Sequence, residues 1–379
     1  MTRLIPINGK GGVGKTTNSC SLAVALADAG YRVMLMSTDP AASVGDSLGQ
    51  DIGRDPVKVK GVDNLWAIEV DGSYEYDKLY EYVKHNTKGI EKFLGKTGVP
   101  GMSEVAALFR VFTYLYDLDY DVIIVDTPPT GHALQMFGLP ETIDNIATGV
   151  QKLLKSFNSV KSFFEGMVVP VEEKRKTRIQ GIKDCVGLLS ETFADSETTY
   201  FNLVSTAEYM SLKEEVRALY KFREYGIETR NVILNRLQPK NPGCPYCMSR
   251  WAENDAYVKS MSNKFETEGV GIIRIVQRPE EVRGIAALRS IGKDLVTQMK
   301  GLDIRRSYRV IPDGGNIWVE TELPMVQKQN LKAEVRGNQL IVRIGFGLHE
   351  EVPNVIVLPR HATHVEAMER NKRLTFRVW

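Results

Sequence analysis

The chain has 379 residues, 43% hydrophobic and 25% charged, proportions that allow two domains or one large domain with an appendage. Its 49 basic and 47 acidic residues nearly cancel to +2, which argues against a dedicated nucleic-acid binder, where a strong basic bias is expected. No apolar run nears the ~20 residues that span a bilayer. A glycine-rich motif already starts at Gly9, leaving no room for a signal peptide, so the reading expects a cytoplasmic protein whose four cysteines are reduced or metal-bound.

Arg3 to Asn8 is a short apolar run of strand length, and Thr17 to Ala29 is rich in small residues and helix formers. Between them stands Gly9-Lys10-Gly11-Gly12-Val13-Gly14-Lys15-Thr16-Thr17. Glycines let successive backbone N–H groups turn inward onto phosphate oxygens, with a helix N-terminus behind them. In such a loop Gly11, Gly12, Val13, Gly14, Lys15, Thr16 and Thr17 would hold the nucleotide phosphates, Lys15 as a mobile charge and the Thr16 hydroxyl as a Mg²⁺ ligand. The same stretch also satisfies the dinucleotide pattern GxGxxG, with Asp39 roughly where a ribose acid would stand. Lys15-Thr16-Thr17 is not expected of a hydride-transfer loop. With its early Lys10 the motif resembles the deviant Walker A family, whose members dimerise around nucleotide. The resemblance implies that Lys10 reaches the partner's phosphates, as an arginine finger does.

Tyr31 to Ser37 reads as a second buried strand, delivering Thr38-Asp39-Pro40-Ala41-Ala42-Ser43 to the carboxyl edge of a parallel sheet, where ligands bind. The segment is similar to switch I of the ArsA/Get3 family, which implies that Asp39 orients the attacking water. Read from turn chemistry alone, Asp39-Pro40 is a tight turn. A strand at Leu65 to Val70 precedes two packing helices, Glu75 to Leu94 and Ser103 to Tyr116, the second expected to be capped by Ser103. Tyr120 to Asp126 is the clearest buried strand, and an acid at its end is the arrangement that holds Mg²⁺ directly or through water. Asp126-Thr127-Pro128-Pro129-Thr130-Gly131-His132 resembles switch II of ArsA/Get3, and His132 is expected to transmit nucleotide state.

Apolar residues then recur at three- and four-residue spacing from Ile143 to Met167 and from Ile179 to Phe193, a pair of amphipathic helices that are either buried core or a groove for hydrophobic segments. Strands at Thr199 to Thr206, Asn231 to Asn235 and Gly271 to Val276, with a helix at Leu212 to Tyr225, resume the α/β alternation. By resemblance Asn235 reads adenine, and the loop holding Pro279 closes over the base. Cys244-Pro245-Tyr246-Cys247 supplies two thiolates, half of a tetrahedral zinc site, which a symmetric dimer would complete; with Arg250-Trp251 it resembles the zinc clasp of that family. A redox pair is the other reading of CxxC.

Beyond Gly301 short alternating runs separated by glycine turns indicate an all-β domain, and Glu334 to Val342 with Leu358-Pro359 is similar to the α-crystallin (small heat-shock) domain. The expected fold is therefore α/β: a mostly parallel, doubly wound P-loop NTPase sheet over 1–301, with a helical subdomain at about 75–118 and 140–195, and a β-sandwich at 302–379. The resemblance to ArsA/Get3 implies a homodimeric Mg²⁺-dependent ATPase that shares one Zn²⁺ across its dimer and takes hydrophobic client helices to a membrane receptor. The catalytic subunit of an arsenite pump and a general holdase are the alternatives.

Overall fold

The computed structural model of the chain describes residues 2–41, 43–86, 102–129, 191–324, 331–344, 352–371 and 373–379. Ala42, the segment Thr130 to His132, both apolar stripes up to Leu189, Cys185 and the later part of the Glu75 to Leu94 helix lie outside the described residues.

Eight strands form one sheet in the order β3-β4-β2-β5-β1-β6-β7-β8. They are β1 (Arg3–Gly9), β2 (Val33–Ser37), β3 (Val57–Lys58), β4 (Leu65–Glu69), β5 (Val122–Asp126), β6 (Phe201–Thr206), β7 (Thr229–Leu237) and β8 (Gly271–Val276). All neighbours run parallel except the short edge strand β3. A parallel sheet must be covered on both faces, and side chains alternate across it. Leu4, Met34, Ile123, Leu203 and Val232 accordingly join one apolar cluster, and Ile5, Leu35, Ile124, Val204 and Ile233 the other.

The second cluster is closed by α1 (Lys15–Asp28) and α7 (Gly284–Gln298), through Leu22, Leu26, Leu288, Ile291 and Leu295. These two helices approach so closely that a Cβ at Gly292 would stand 2.4 Å from the Ser21 carbonyl oxygen, so only glycine fits there. On the first face lie α4 (Met102–Leu115), α5 (Tyr209–Glu224) and α6 (Pro245–Thr267), contributing Leu108, Phe112, Leu219, Phe222 and Phe265. The short α2 (Val44–Leu48) follows β2, and α3 (Gly72–Asn86) precedes α4. Ser103 lies inside α4 and does not cap it: the helix begins at Met102.

The C-terminal part is all β, as its alternation and turns indicate. A four-stranded antiparallel sheet, β14-β15-β10-β9, contains β9 (Tyr308–Asp313), β10 (Asn316–Pro324), β14 (Val365–Arg370) and β15 (Arg373–Val378). A three-stranded one contains β11 (Leu331–Arg336), β12 (Gln339–Ile344) and β13 (Val352–Val357). Ile317, Val319, Leu340, Val342, Phe376 and Val378 from both sheets share a cluster that continues, unbroken, into the core on the α4 face of the parallel sheet.

Polar contacts fasten this junction. Asn354, 1% exposed, donates to the Tyr116 carbonyl (3.2 Å) and accepts from the Leu118 N–H (2.5 Å). The fully buried Asp121 carboxylate accepts from Arg32, Arg306 and the Ser307 N–H, while the Ser307 hydroxyl donates to the Leu118 carbonyl.

Candidate active site

The parallel register brings the ends of β1, β2 and β5 level: Asp126 lies opposite Ile7 on one side and Ser37 on the other. The glycine loop leaves β1 at Gly9 and enters α1 at Lys15. Gly14 takes φ +97° at the helix N-cap, a left-handed conformation that a side chain would strain, and a Cβ there would meet the Asn235 amide at 2.3 Å. Asn18 donates back to the Gly14 carbonyl (2.8 Å) and Asn235 to the Val13 carbonyl (2.8 Å), so the loop is held from both sides. Lys15 is 7% exposed on the first turn of α1.

Behind Lys15 sits a knot of hard oxygens. Thr16 Oγ1 donates to Asp126 Oδ2 at 2.6 Å, lies 2.9 Å from Ser43 Oγ, and Ser19 reaches Asp126 Oδ1 at 3.3 Å. Burial pushes the Asp126 carboxyl up to about 6; the Thr16 hydrogen bond and the Lys15 charge pull the other way, and Asp39 adds to the rise. Hydroxyl and carboxylate oxygens are the donors that Mg²⁺ prefers, and a fully buried carboxylate is the group a divalent cation would stabilise most. The residues present therefore fit Mg²⁺, with Thr16 and Asp126 as expected and Ser43 as an addition. Ser43 occupies the N-cap of α2 but makes no side-chain capping bond, its hydroxyl being turned to Thr16 instead.

Asp39 is half-buried beside this knot, and its Oδ1 accepts the Ala41 N–H at 3.0 Å. The turn expected from Asp39-Pro40 is thus present, in a position next to the Mg²⁺-type cluster.

Lys10 is occupied within its own chain. Its Nζ lies 3.4 Å from Glu214, with both side chains well exposed, and its N–H donates to Glu215 Oε1 at 3.2 Å. An exposed pair of this kind is worth about 0–1 kcal/mol, so the Lys10 side chain is easily freed. Glu215 is fully buried, and its Oε2 has no hydrogen-bond partner among the described residues. Burial pushes its carboxyl up to about 8, the Lys10 N–H opposing and Glu214 reinforcing the rise.

A cavity of about 550 Å³ opens beside the loop, lined by Thr17, Ser47, Asn235, Arg236, Gln277 and Arg278 among others. Its size suits a nucleoside. Asn235 lines it as expected, although one amide hydrogen is committed to Val13. Pro279 is exposed and does not line it, whereas its neighbours Arg278 and Glu280 do. Arg236 holds φ +54°, a conformation costing about 1 kcal/mol or more for a residue with a Cβ, at the point where β7 turns into this cavity.

A model of the anion-transporting ATPase family matches residues 2–297. The chain belongs to this family. Its relatives include ATPase GET3 of Malassezia globosa, 32% identical over 295 residues that cover 76% of this chain and 89% of that one. Another is ATPase GET3 of Mycosarcoma maydis, 30% identical over 77% of this chain and 90% of that one. ATPase ASNA1 homolog 2 of Paramecium tetraurelia is 30% identical over 75% and 90%. Family membership and the phosphate loop together make the chain an ATPase and dispose of the dinucleotide reading of Gly9 to Gly14.

Cys244 and Cys247 stand at the start of α6, far from the phosphate loop in sequence. Cys244 is the N-cap, its Sγ accepting the Cys247 N–H at 3.2 Å. Hydrogen bonds from the Cys247 side chain and N–H lower the Cys244 pKa, and the same contact raises that of Cys247. Among the described residues no group of three or more His, Cys, Asp or Glu side chains could hold a metal ion. Among the described residues no helix is long and apolar enough to cross a membrane.

Proposed function

We propose that the chain works as a cytoplasmic homodimer that closes on ATP, hydrolyses it, and uses the cycle to bind and release hydrophobic protein helices, such as those of tail-anchored membrane proteins, for a membrane receptor. The observation that carries this reading is Lys10. The Lys10 side chain is exposed and held only by a weak ion pair with Glu214, at 3.4 Å, so it is readily released to serve a second active site. Lys15 and the loop N–H groups hold the β- and γ-phosphates, Asp39 orients the attacking water, and the partner's loop supplies the charge that develops in the transition state. Mg²⁺, held by Thr16 and Asp126, would neutralise phosphate charge when bound.

Two further assignments belong to this proposal. Cys244 and Cys247 of two chains share one Zn²⁺ across the dimer axis, supported by their half-exposed positions and the lowered Cys244 pKa. The chain divides near 301/302 into an ATPase domain and an α-crystallin-like domain, supported by the end of the family match at residue 297 and the two antiparallel sheets that follow.

The deciding experiment compares two activators of ATP turnover. A hydrophobic helix presented in soluble form should stimulate or stabilise the ATP-bound dimer. If arsenite stimulates and the helix does not, the pump-subunit reading replaces this one.

A further inference from the structure

At the edge of the parallel sheet opposite the phosphate loop, the start of β1, the start of β7 and the segment that leaves α7 enclose a cavity of about 440 Å³. Four cations line it, Arg3, Arg230, Lys300 and Arg305, with three carboxylates, Glu197, Glu228 and Asp303. The carboxylates are already matched. Arg230 pairs with Glu228 at 2.9 Å, Arg305 with Asp303 at 3.3 Å, and Glu197 lies 4.0 Å from Arg373 of β15. Arg230 also donates to the Gly301 and Ser196 carbonyls.

Arg3 and Lys300 form no ion pair among the described residues, although the Asp303 carboxylate is near enough to act on the Arg3 charge. Arg3 is 7% exposed; its Nε and Nη2 both donate to the Asp303 carbonyl, at 3.1 and 2.6 Å, while the buried Nη1 has no acceptor among the described residues. Burial lowers the Arg3 pKa; Tyr200 and Asp303 oppose the fall, and the Arg230 and Arg305 charges add to it. The Tyr200 ring lies 5.8 Å from the Arg3 guanidinium and 4.2 Å from that of Arg230, and its buried hydroxyl has no hydrogen-bond partner among the described residues. A buried guanidinium that donates only to a carbonyl and keeps one donor over gains when an anion completes its bonding.

We propose that this cavity binds a small oxyanion of the phosphate type, taken by the free Arg3 donor and Lys300 and lying against the segment from Lys300 to Arg305. That segment leads into the antiparallel sheets, so the anion would pin it to the base of β1. The site is independent of the nucleotide loop. It is large enough for inorganic phosphate or for the phosphate group of a larger ester.

The test uses the full chain carrying Lys15→Ala, which weakens phosphate capture by the nucleotide loop. Inorganic phosphate and glycerol phosphate are titrated at constant ionic strength, followed by calorimetry and by the unfolding midpoint. Saturable binding of either ion with a raised midpoint is expected. The pair Lys300→Ala and Arg305→Ala, both at exposed positions, should raise Kd about tenfold or more without changing ATP turnover when placed in the otherwise unaltered chain. Tighter binding of one ion distinguishes free phosphate from an ester as the natural ligand. Absence of binding in the Lys15→Ala chain, or binding unchanged by the paired substitution, overturns the proposal.

Discussion

Glu215→Gln tests the reading of the phosphate-loop surroundings with the largest expected signal. The Glu215 carboxyl is fully buried under Lys10 and titrates at about 8, against an ordinary value of 4.5. Between those values the folded chain keeps a proton that the unfolded chain releases, so stability is complete below about pH 4.5 and falls as pH rises to about 8. Each pH unit in that interval costs about 1.4 kcal/mol, which makes the loss about 3 kcal/mol at pH 7 and about 5 kcal/mol above pH 8, as upper figures. Glutamine preserves the acceptor for the Lys10 N–H and cannot ionise. The variant should match the parent near pH 4.5 and exceed it increasingly toward pH 8.5. Urea unfolding midpoints of both proteins at four pH values between 4.5 and 8.5 read this directly. Parallel curves over the whole range would refute the argument, because a carboxylate that ionises freely in the fold cannot be sealed beneath the loop.

Asp39→Asn and Lys10→Ala should each bind ATP nearly normally and hydrolyse it slowly in single-turnover assays. Mixing Lys10→Ala with an excess of Asp39→Asn should restore part of the turnover, since some mixed dimers then hold one site with both an intact Asp39 and a partner Lys10; no rescue at any ratio removes trans catalysis. Cys244→Ser should halve the thiolates available to a shared Zn²⁺ and weaken the dimer, and native mass spectrometry finding a zinc-free dimer unaffected by the change would sink the clasp. Asn354→Ala strands the Tyr116 carbonyl and the Leu118 N–H in the junction core, a loss of about 2–4 kcal/mol visible as a lower unfolding midpoint, while zinc content stays constant.

Several elements were legible because one physical signal dominated. The run from Val122 to Val125 is apolar throughout, as a strand buried on both faces must be, and β12 starts directly after the turn at Gly337. Two of the longer helices escaped, besides the five-residue α2. Helix α6 buries only Asn254, Val258, Ser262 and Phe265, a stripe half polar, and its start coincides with cysteines read as metal ligands. Helix α7, beginning after Arg283, carries no capping side chain. Strands β13 and β14 were missed for want of alternation: one carries Pro353, the other is largely exposed and charged. In the site, the loop, Asp126 and Asn235 follow from motif form, whereas Ser43, Asn18 and Glu215 depend on which way a side chain turns. Glu215 stands beside the exposed Glu214, and nothing in the pair tells from sequence which carboxylate is sealed.

The junction gripped by Asn354 and Asp121 bears on how this chain can be cut. The family match stops at residue 297, which suggests a clean excision of everything beyond. Yet Tyr116 and Leu118 are 2% and 1% exposed in a cluster shared with the antiparallel sheets, and Asp121 is fully buried between arginines from either side of the proposed cut. Excision would bare that apolar surface to water, remove Arg306 and Ser307 from the Asp121 carboxylate, and loosen the residues that feed directly into the strand ending at Asp126. The appended sheets are welded to their host, and a shortened chain would report on a damaged catalytic strand as much as on a missing appendage.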